Sequence, residues 1–225
     1  MSDADAASVP PSAAELPAVV DLLGALGYAT LSGFGAMAED AALAPGLADK
    51  SAVAGMAVAL YHHHEQVANR LRDLGADPSV AMAPFAPAID GFHDRTRPSD
   101  WLEGLVKAYV GDGIARDFYA EVARFVDEHT RVFVLDVLKV DGRGDYVVDT
   151  VRAACADDPR VAGRLALWGR RIMGEAMQQA QLAVAERDTL SELLVGSADL
   201  AEVGRMFDRI GEAHTARMVR LGLSA

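Results

Sequence analysis

The stretch that decides the fold is ELPAVVDLLGALGYATLSGFGAMAED, residues 15–40. Its apolar side chains recur every three or four residues and form one stripe: Val20, Leu23, Leu26, Phe34 and Met37. This spacing places them on one face of an α-helix, with Thr30 in the middle of that face. Ser12 and Glu15 have the spacing of a reciprocal helix cap. The sequence therefore predicts a long amphipathic helix that ends before Pro45.

Two further helices follow from the same periodicity. One runs from about Asp49 to Leu74 and stops at Gly75, a residue type that often ends helices, with His63 inside its apolar stripe. The next starts near Asp100 and carries Asp112 in the middle of its stripe. Each of the first three predicted helices thus holds one polar residue on its apolar face.

The rest of the chain also favours helices. Residues 76–99 contain four prolines, which predicts a long connection that passes over one end of a bundle. Residues 130–157 are interpreted as helix with a bend near Gly142–Gly144, although their valines also suit a strand. Asp158–Pro159 opens a helix to about Arg187, and a last helix spans roughly Asp199 to Arg220. The predicted fold is all-α.

Composition limits the classes of protein. Acidic residues exceed basic ones by 33 − 21 = 12, so the charge of −12 disfavours tRNA and other nucleic acids as partners. The single cysteine, Cys155, excludes an internal disulfide and fits a cytoplasmic protein. The longest apolar stretch, 52–61, is about half a membrane span, so no membrane association is expected. Residues 1–12 are expected to be a flexible tail, and 13–225 a single domain.

Three residues are candidate metal ligands: His63, Asp112 and Glu175. Each of the three also has a structural interpretation. For His63, a lone histidine on an apolar face is more often a hydrogen-bonded core residue than a metal ligand. Asp112, between two glycines, is equally compatible with an exposed helix break, and Glu175 with an ion pair to Arg171. His62, His64 and Glu65 are expected to face solvent, since consecutive helical residues point about 100° apart. A basic stretch, Arg160, Arg164, Arg170 and Arg171, is a weaker candidate for anion binding.

Four long helices, with a polar residue in the middle of the apolar stripe of each of the first three, resemble the ferritin-like bundles. The stretches WLEGLVKAYVGDG, residues 101–113, and DPRVAGRLALWGRR, residues 158–171, look like the ferritin-like proteins related to the tRNA isopentenyladenosine hydroxylases. The resemblance implies an up-down four-helix bundle with a long crossover and two extra C-terminal helices. It covers roughly residues 15–223.

The same resemblance implies a di-iron site built from Glu and Glu-x-x-His pairs. Leu60-x-x-His63 occupies the place of one such pair, and of the six ligand positions only His63 and Asp112 keep ligand chemistry. The other four positions hold Thr30, Leu60, Val140 and Arg143. If the helix at 159–187 is instead the fourth of the bundle, Glu175-x-x-Gln178 replaces Val140-x-x-Arg143 as the pair that accompanies Asp112.

These departures predict a degenerate di-metal site and a binding or scaffold role, with a homodimer as the expected assembly. The alternative is an oxygenase, with two irons or one metal ion, that hydroxylates a prenylated tRNA base or a small substrate. No cofactor is expected in the first case and iron in the second. A helical RNA-binding module that uses Arg170 and Arg171 is a third possibility.

Overall fold

The computed structural model describes residues 11–139, 144–185, 187–189, 191–192 and 200–225. Within these ranges the regular structure is helical and contains no β-strand. This confirms the all-α prediction. Most of the expected tail, together with Val140 and Arg143, lies outside the described residues.

The first two long helices pack side by side. Helix α1 spans Leu16–Asp40 and α2 spans Leu47–Asp73. The cap before α1 is reciprocal as predicted, because Glu15 N donates to Ser12 Oγ at 3.3 Å and Ser12 N donates to Glu15 Oε2 at 2.9 Å. After α2, Gly75 has a φ of +78° and Ala76 N donates to Leu71 O at 2.9 Å. Only glycine adopts this left-handed conformation without strain, so the predicted stop is confirmed.

The proline-rich connection is more ordered than the sequence suggests. It folds into α3, Pro78–Met82, a 3₁₀ turn, Ala83–Phe85, and α4, Ala86–Arg95. Its first three prolines lie in the first turn of these short elements, where a missing N–H costs nothing. The segment packs against α1, and α4 also contacts the helix that follows residue 158. The predicted long connection thus contains short helices that the sequence analysis did not identify.

The third long helix contains a π-helical turn. It begins as α5, Trp101–Val106, widens over Lys107–Gly111, and continues as α6, Asp112–Val122. Asp100 caps its start by accepting a hydrogen bond from Glu103 N at 2.9 Å. A π turn is rare and often marks a functional site. It lies directly before Asp112.

Four more helices complete the described chain. They are α7, Glu128–Val137, α8, Gly144–Asp157, α9, Pro159–Ala185, and α10, Leu200–Arg220. Within 130–157, helix rather than strand is confirmed at the described positions that α7 and α8 cover. Val134, Val137, Val148 and Val151 are buried as their spacing predicts. The predicted bend falls partly at 140–143, outside the described residues. Helix α9 packs against α4, α5, α8 and the π turn.

Helix α1 has an unusual composition. Within the described residues, Leu16–Leu43 is the one helical stretch long and apolar enough to cross a membrane, with a mean hydropathy of 1.3. This stretch is longer than the apolar stretch 52–61 that the sequence analysis identified. Half of this window is buried, and α1 packs against α2, α3 and α4. A central core helix of a bundle meets the same criteria of length and composition.

Candidate functional site

A cavity of about 240 Å³ lies between α1, α2, α4, the π turn, α6 and α9. Its volume falls between the roughly 150 Å³ that admits benzene and the roughly 300 Å³ of the smaller ligand pockets. Most of the wall is apolar, and it includes Leu26, Phe85, Ile89, Phe92, Ile114 and Phe118. The bundle therefore has room for a small, largely apolar molecule.

The cavity brings together four of the positions selected from the sequence: Thr30, Leu60, His63 and Asp112. Thr30 is buried, and its hydroxyl donates to the carbonyls of Leu26 and Gly27, each at 3.0 Å. Asp112 pairs with Arg116 at 3.1 Å between Oδ2 and Nη2. Leu60 and His63 are half-buried. The periodicity of the sequence thus identified one wall of a shared site.

The third candidate ligand lies elsewhere. Glu175 accepts a hydrogen bond from Arg95 Nε at 2.8 Å and does not line the cavity. Its partner is Arg95 rather than the expected Arg171, which donates to the Arg95 carbonyl at 2.6 Å. Helix α9 does face the cavity, but through Ala176, Met177, Gln179 and Ala180. The alternative pair Glu175-x-x-Gln178 is therefore not placed to ligate a metal there.

One histidine behaves differently from its prediction. His62 and Glu65 are exposed, as expected, and contact each other at 3.2 Å. His64 was expected to face solvent, but it is half-buried and its Nδ1 lies 2.9 Å from Gly27 O. Because α1 and α2 pack closely, the side of α2 beside the main stripe is also covered. This expectation is wrong.

The residues present do not fit a pair of iron ions. Among the described residues, no three His, Cys, Asp or Glu side chains are grouped so that they could hold a metal ion. Two irons need several carboxylate oxygens to offset their charge. In the cavity, Leu60 is apolar, Thr30 already bonds its own helix, and Asp112 is paired with a guanidinium. The donor set offers too little negative charge.

A cluster of ionisable groups that the sequence analysis missed also lines the cavity: Asp40, His93 and Lys107. Burial raises the pKa of Asp40 to about 6, partly offset by Lys107. Burial, and to a smaller extent nearby Lys107, lowers the pKa of His93 to about 4 against an opposing effect of Asp94. His93 Nδ1 is buried and has no hydrogen-bond partner among the described residues.

Gln179 supplies another unsatisfied polar group. It is 6% exposed, lines the cavity from α9, and its Nε2 has no hydrogen-bond partner in the described part of the chain. Buried polar groups in proteins are normally hydrogen-bonded, so such exceptions require an explanation. Tyr119, by contrast, is satisfied, because its hydroxyl donates to Ala25 O at 3.1 Å. The cavity wall therefore combines an apolar surface with unused polar capacity.

The basic stretch of α9 mainly holds the fold together. Arg164 contacts Asp100 at 2.7 Å and Glu103 at 2.6 Å. Arg170 donates to Ser224 O at 3.1 Å, and the Arg171 guanidinium lies 5.6 Å from the centre of the Trp168 ring. Three of the four arginines are therefore engaged in contacts that stabilise the fold.

Asp40 and His93 predict opposite pH dependences of stability. The folded-state pKa of Asp40 is raised from 3.8 to about 6. The stability that its protonated carboxyl group contributes is therefore fully present below pH 3.8 and is lost as the pH rises through about 6. The folded-state pKa of His93 is lowered from 6.5 to about 4, so the stability that its neutral ring contributes is lost as the pH falls through about 4.

The Asp40→Asn variant lacks the stability that the protonated Asp40 carboxyl group contributes at low pH. Its unfolding free energy relative to the wild type should rise between pH 4 and pH 6, measured by urea denaturation. A pH-independent difference would contradict the burial of Asp40.

Comparison with known proteins supports the fold. No curated protein sequence matches the chain. Its structure is similar to that of protein 19 from Synechococcus, described as having aldehyde deformylating oxidase activity, with a TM-score of 0.70 and 18% sequence identity. The match covers 95% of this chain and 94% of the other, and at this identity it shows the fold alone. The family model for the ferritin-like domain of actinomycetes matches residues 15–197. With the helical bundle described above, this match shows that the chain belongs to that ferritin-like family.

Proposed function

We propose that this ferritin-like protein binds a small, uncharged and largely apolar molecule in the cavity between its helices. The observation that carries the proposal is the cavity itself, about 240 Å³, with an apolar wall and polar groups along part of it. Few precisely placed polar groups in an apolar pocket are typical of small-molecule sites. Gln179 and His93, each with a buried nitrogen that lacks a partner among the described residues, can bond a polar group on the ligand.

Within this proposal the chain is a member of the group related to the tRNA isopentenyladenosine hydroxylases whose metal centre is degenerate, acting as a binding or scaffold protein. The poor donor set around His63 and Asp112 supports a role without iron chemistry. The homodimer, the cytoplasmic location and the lack of tRNA or membrane contacts stay predictions from the sequence.

The binding proposal is tested with octanol, which has an apolar chain and one uncharged polar group. Isothermal titration calorimetry should detect binding to the wild type. The Ala29→Leu substitution places a larger side chain in the cavity wall and should weaken binding by about tenfold, or roughly 1.4 kcal/mol.

The matched control is Ala38→Leu, on the exposed side of the same helix α1, which should leave octanol binding unchanged. Equal affinity in both variants would place the bound alcohol outside the cavity. An absence of binding to the folded wild type would overturn the proposed function.

Metal binding provides an independent test. Because the described donor set is too small for two irons, added Fe²⁺ or Mn²⁺ should leave the melting temperature unchanged. Elemental mass spectrometry on protein expressed with excess iron and manganese should find well below one equivalent per chain. About two equivalents would support the oxygenase alternative and would require ligands beyond His63 and Asp112.

A further inference from the structure

Lys107 is an exception among the charged residues of this protein. It is 6% exposed and lines the cavity from the π turn. Within the described part of the chain, its ammonium group has neither a hydrogen bond nor an ion pair within 4.0 Å. The centre of the Phe92 ring lies 5.8 Å from Nζ. A buried lysine is usually paired, since an unpaired buried charge is costly.

The surroundings of Lys107 favour the neutral amine. Burial is the main cause that lowers its pKa, and Arg97 acts in the same direction. Asp40, Glu39 and Asp94 act in the opposite direction without cancelling the effect. Desolvated lysines in apolar pockets are the ones that act as nucleophiles toward carbonyl compounds.

The charges near Lys107 also discriminate between ligand head groups. The three carboxylates that act on its amine would repel a carboxylate or phosphate on a ligand. A neutral carbonyl group escapes this repulsion and can still react with the amine. The apolar wall formed by Phe92, Ile89 and Ile114 then receives the hydrocarbon part of the same molecule.

We propose that Lys107 forms a reversible Schiff base with a small aldehyde or ketone bound in the cavity. The amine nitrogen bonds to the carbonyl carbon, and the two amine hydrogens leave with the carbonyl oxygen as water. A C=N double bond remains, so the step needs neither an oxidant nor a reductant. This inference rests on the proposed function, because the carbonyl compound occupies the cavity assigned to apolar ligands.

The chain contains three lysines, Lys50, Lys107 and Lys139, so each possible lysine adduct can be followed separately. Lys50 is exposed and does not line the cavity. Lys139 does line the cavity, but it is exposed and paired with Asp136. The full chain is incubated with octanal, reduced with cyanoborohydride to fix any C=N bond, and mapped by peptide mass spectrometry. Octanal bound in the cavity is held beside Lys107 at a high effective concentration. Lys107 should therefore carry about tenfold more adduct than Lys50, which does not line the cavity.

Variants separate the reaction from binding. Lys107→Met should abolish this adduct, whereas Lys50→Met, at a residue that does not line the cavity, should keep both the adduct at Lys107 and octanol binding. Excess octanol should protect Lys107 in the wild type. If octanol binds but Lys107 is labelled no more than Lys50, the Schiff-base inference is wrong and the binding function stands. If octanol does not bind and Lys107 is not labelled, both proposals fail.

Discussion

Replacing Phe85 with alanine should lower the free energy of unfolding by about 3 to 5 kcal/mol. Phe85 is 1% exposed and lies in the 3₁₀ turn between α3 and α4, where it packs in the core beside α1. Its ring also forms part of the cavity wall and lies 5.9 Å from the guanidinium of Arg187. Removing it loses buried apolar surface and enlarges an existing void, which the surrounding helices can fill only in part. Urea denaturation measures the change.

The control for this prediction is Phe85→Leu, which keeps most of the volume and should cost about 1.5 kcal/mol or less. The two variants share the loss of the ring contact with Arg187, so their difference reports on packing alone. A loss below about 1 kcal/mol in Phe85→Ala would show that this segment does not belong to the core.

The second large effect is expected at Gly24 in α1. A Cβ atom added there would lie 2.2 Å from the carbonyl oxygen of Ala81 and 2.8 Å from its carbonyl carbon. These are backbone atoms of α3, so the short helix must move away from α1. Gly24→Ala should therefore destabilise the protein by about 1 to 3 kcal/mol, although alanine is the better helix former.

Gly35 provides the matched control on the same helix. An added Cβ there meets nothing within 4 Å. Gly35→Ala should stabilise the protein by about 0.5 to 1 kcal/mol, because alanine loses less backbone entropy in a helix. Thermal unfolding of both variants tests the close approach of α1 and α3. The same sign of change in both variants would contradict that approach.

The long helices were predictable because their signals are local and repeated. The stripe of α1 contains Leu23, Leu26 and Met37, and all three are buried. Cap residues at Ser12 and Gly75 fixed the start of α1 and the end of α2. Helical periodicity also placed Thr30, His63 and Asp112 on inward faces, which is why they line one cavity.

The short elements were not predictable in the same way. Four prolines in residues 76–99 indicate a long connection, and a proline in the first turn of a short helix gives no further sign of that helix. His93 lies within this predicted connection and was not singled out, although α4 carries it into the cavity wall. Glu175 was misplaced for the same reason, because its partner Arg95 also belongs to the unpredicted helix α4.

Lys107 was missed because of the π turn. With 3.6 residues per turn, a residue five positions before Asp112 lies well away from its face. In a π turn the backbone bonds join residues five apart, so the angle between such positions is smaller. Lys107 and Asp112 consequently line the same cavity. The only sign in residues 101–113 of the extra residue that the π turn contains is a lysine within an otherwise apolar run.

The π turn also absorbs a change in chain length. It holds one residue more than a regular α-helical turn, so loss of one residue between Lys107 and Asp112 would restore regular α-helical bonding. The lysine would then stand four positions before the aspartate, and residues four apart share a helix face. Both side chains would keep their places in the cavity wall, and α5 and α6 would keep the faces that they bury. Insertion or deletion of one residue at this point is therefore tolerated without a rotation of either half of the helix.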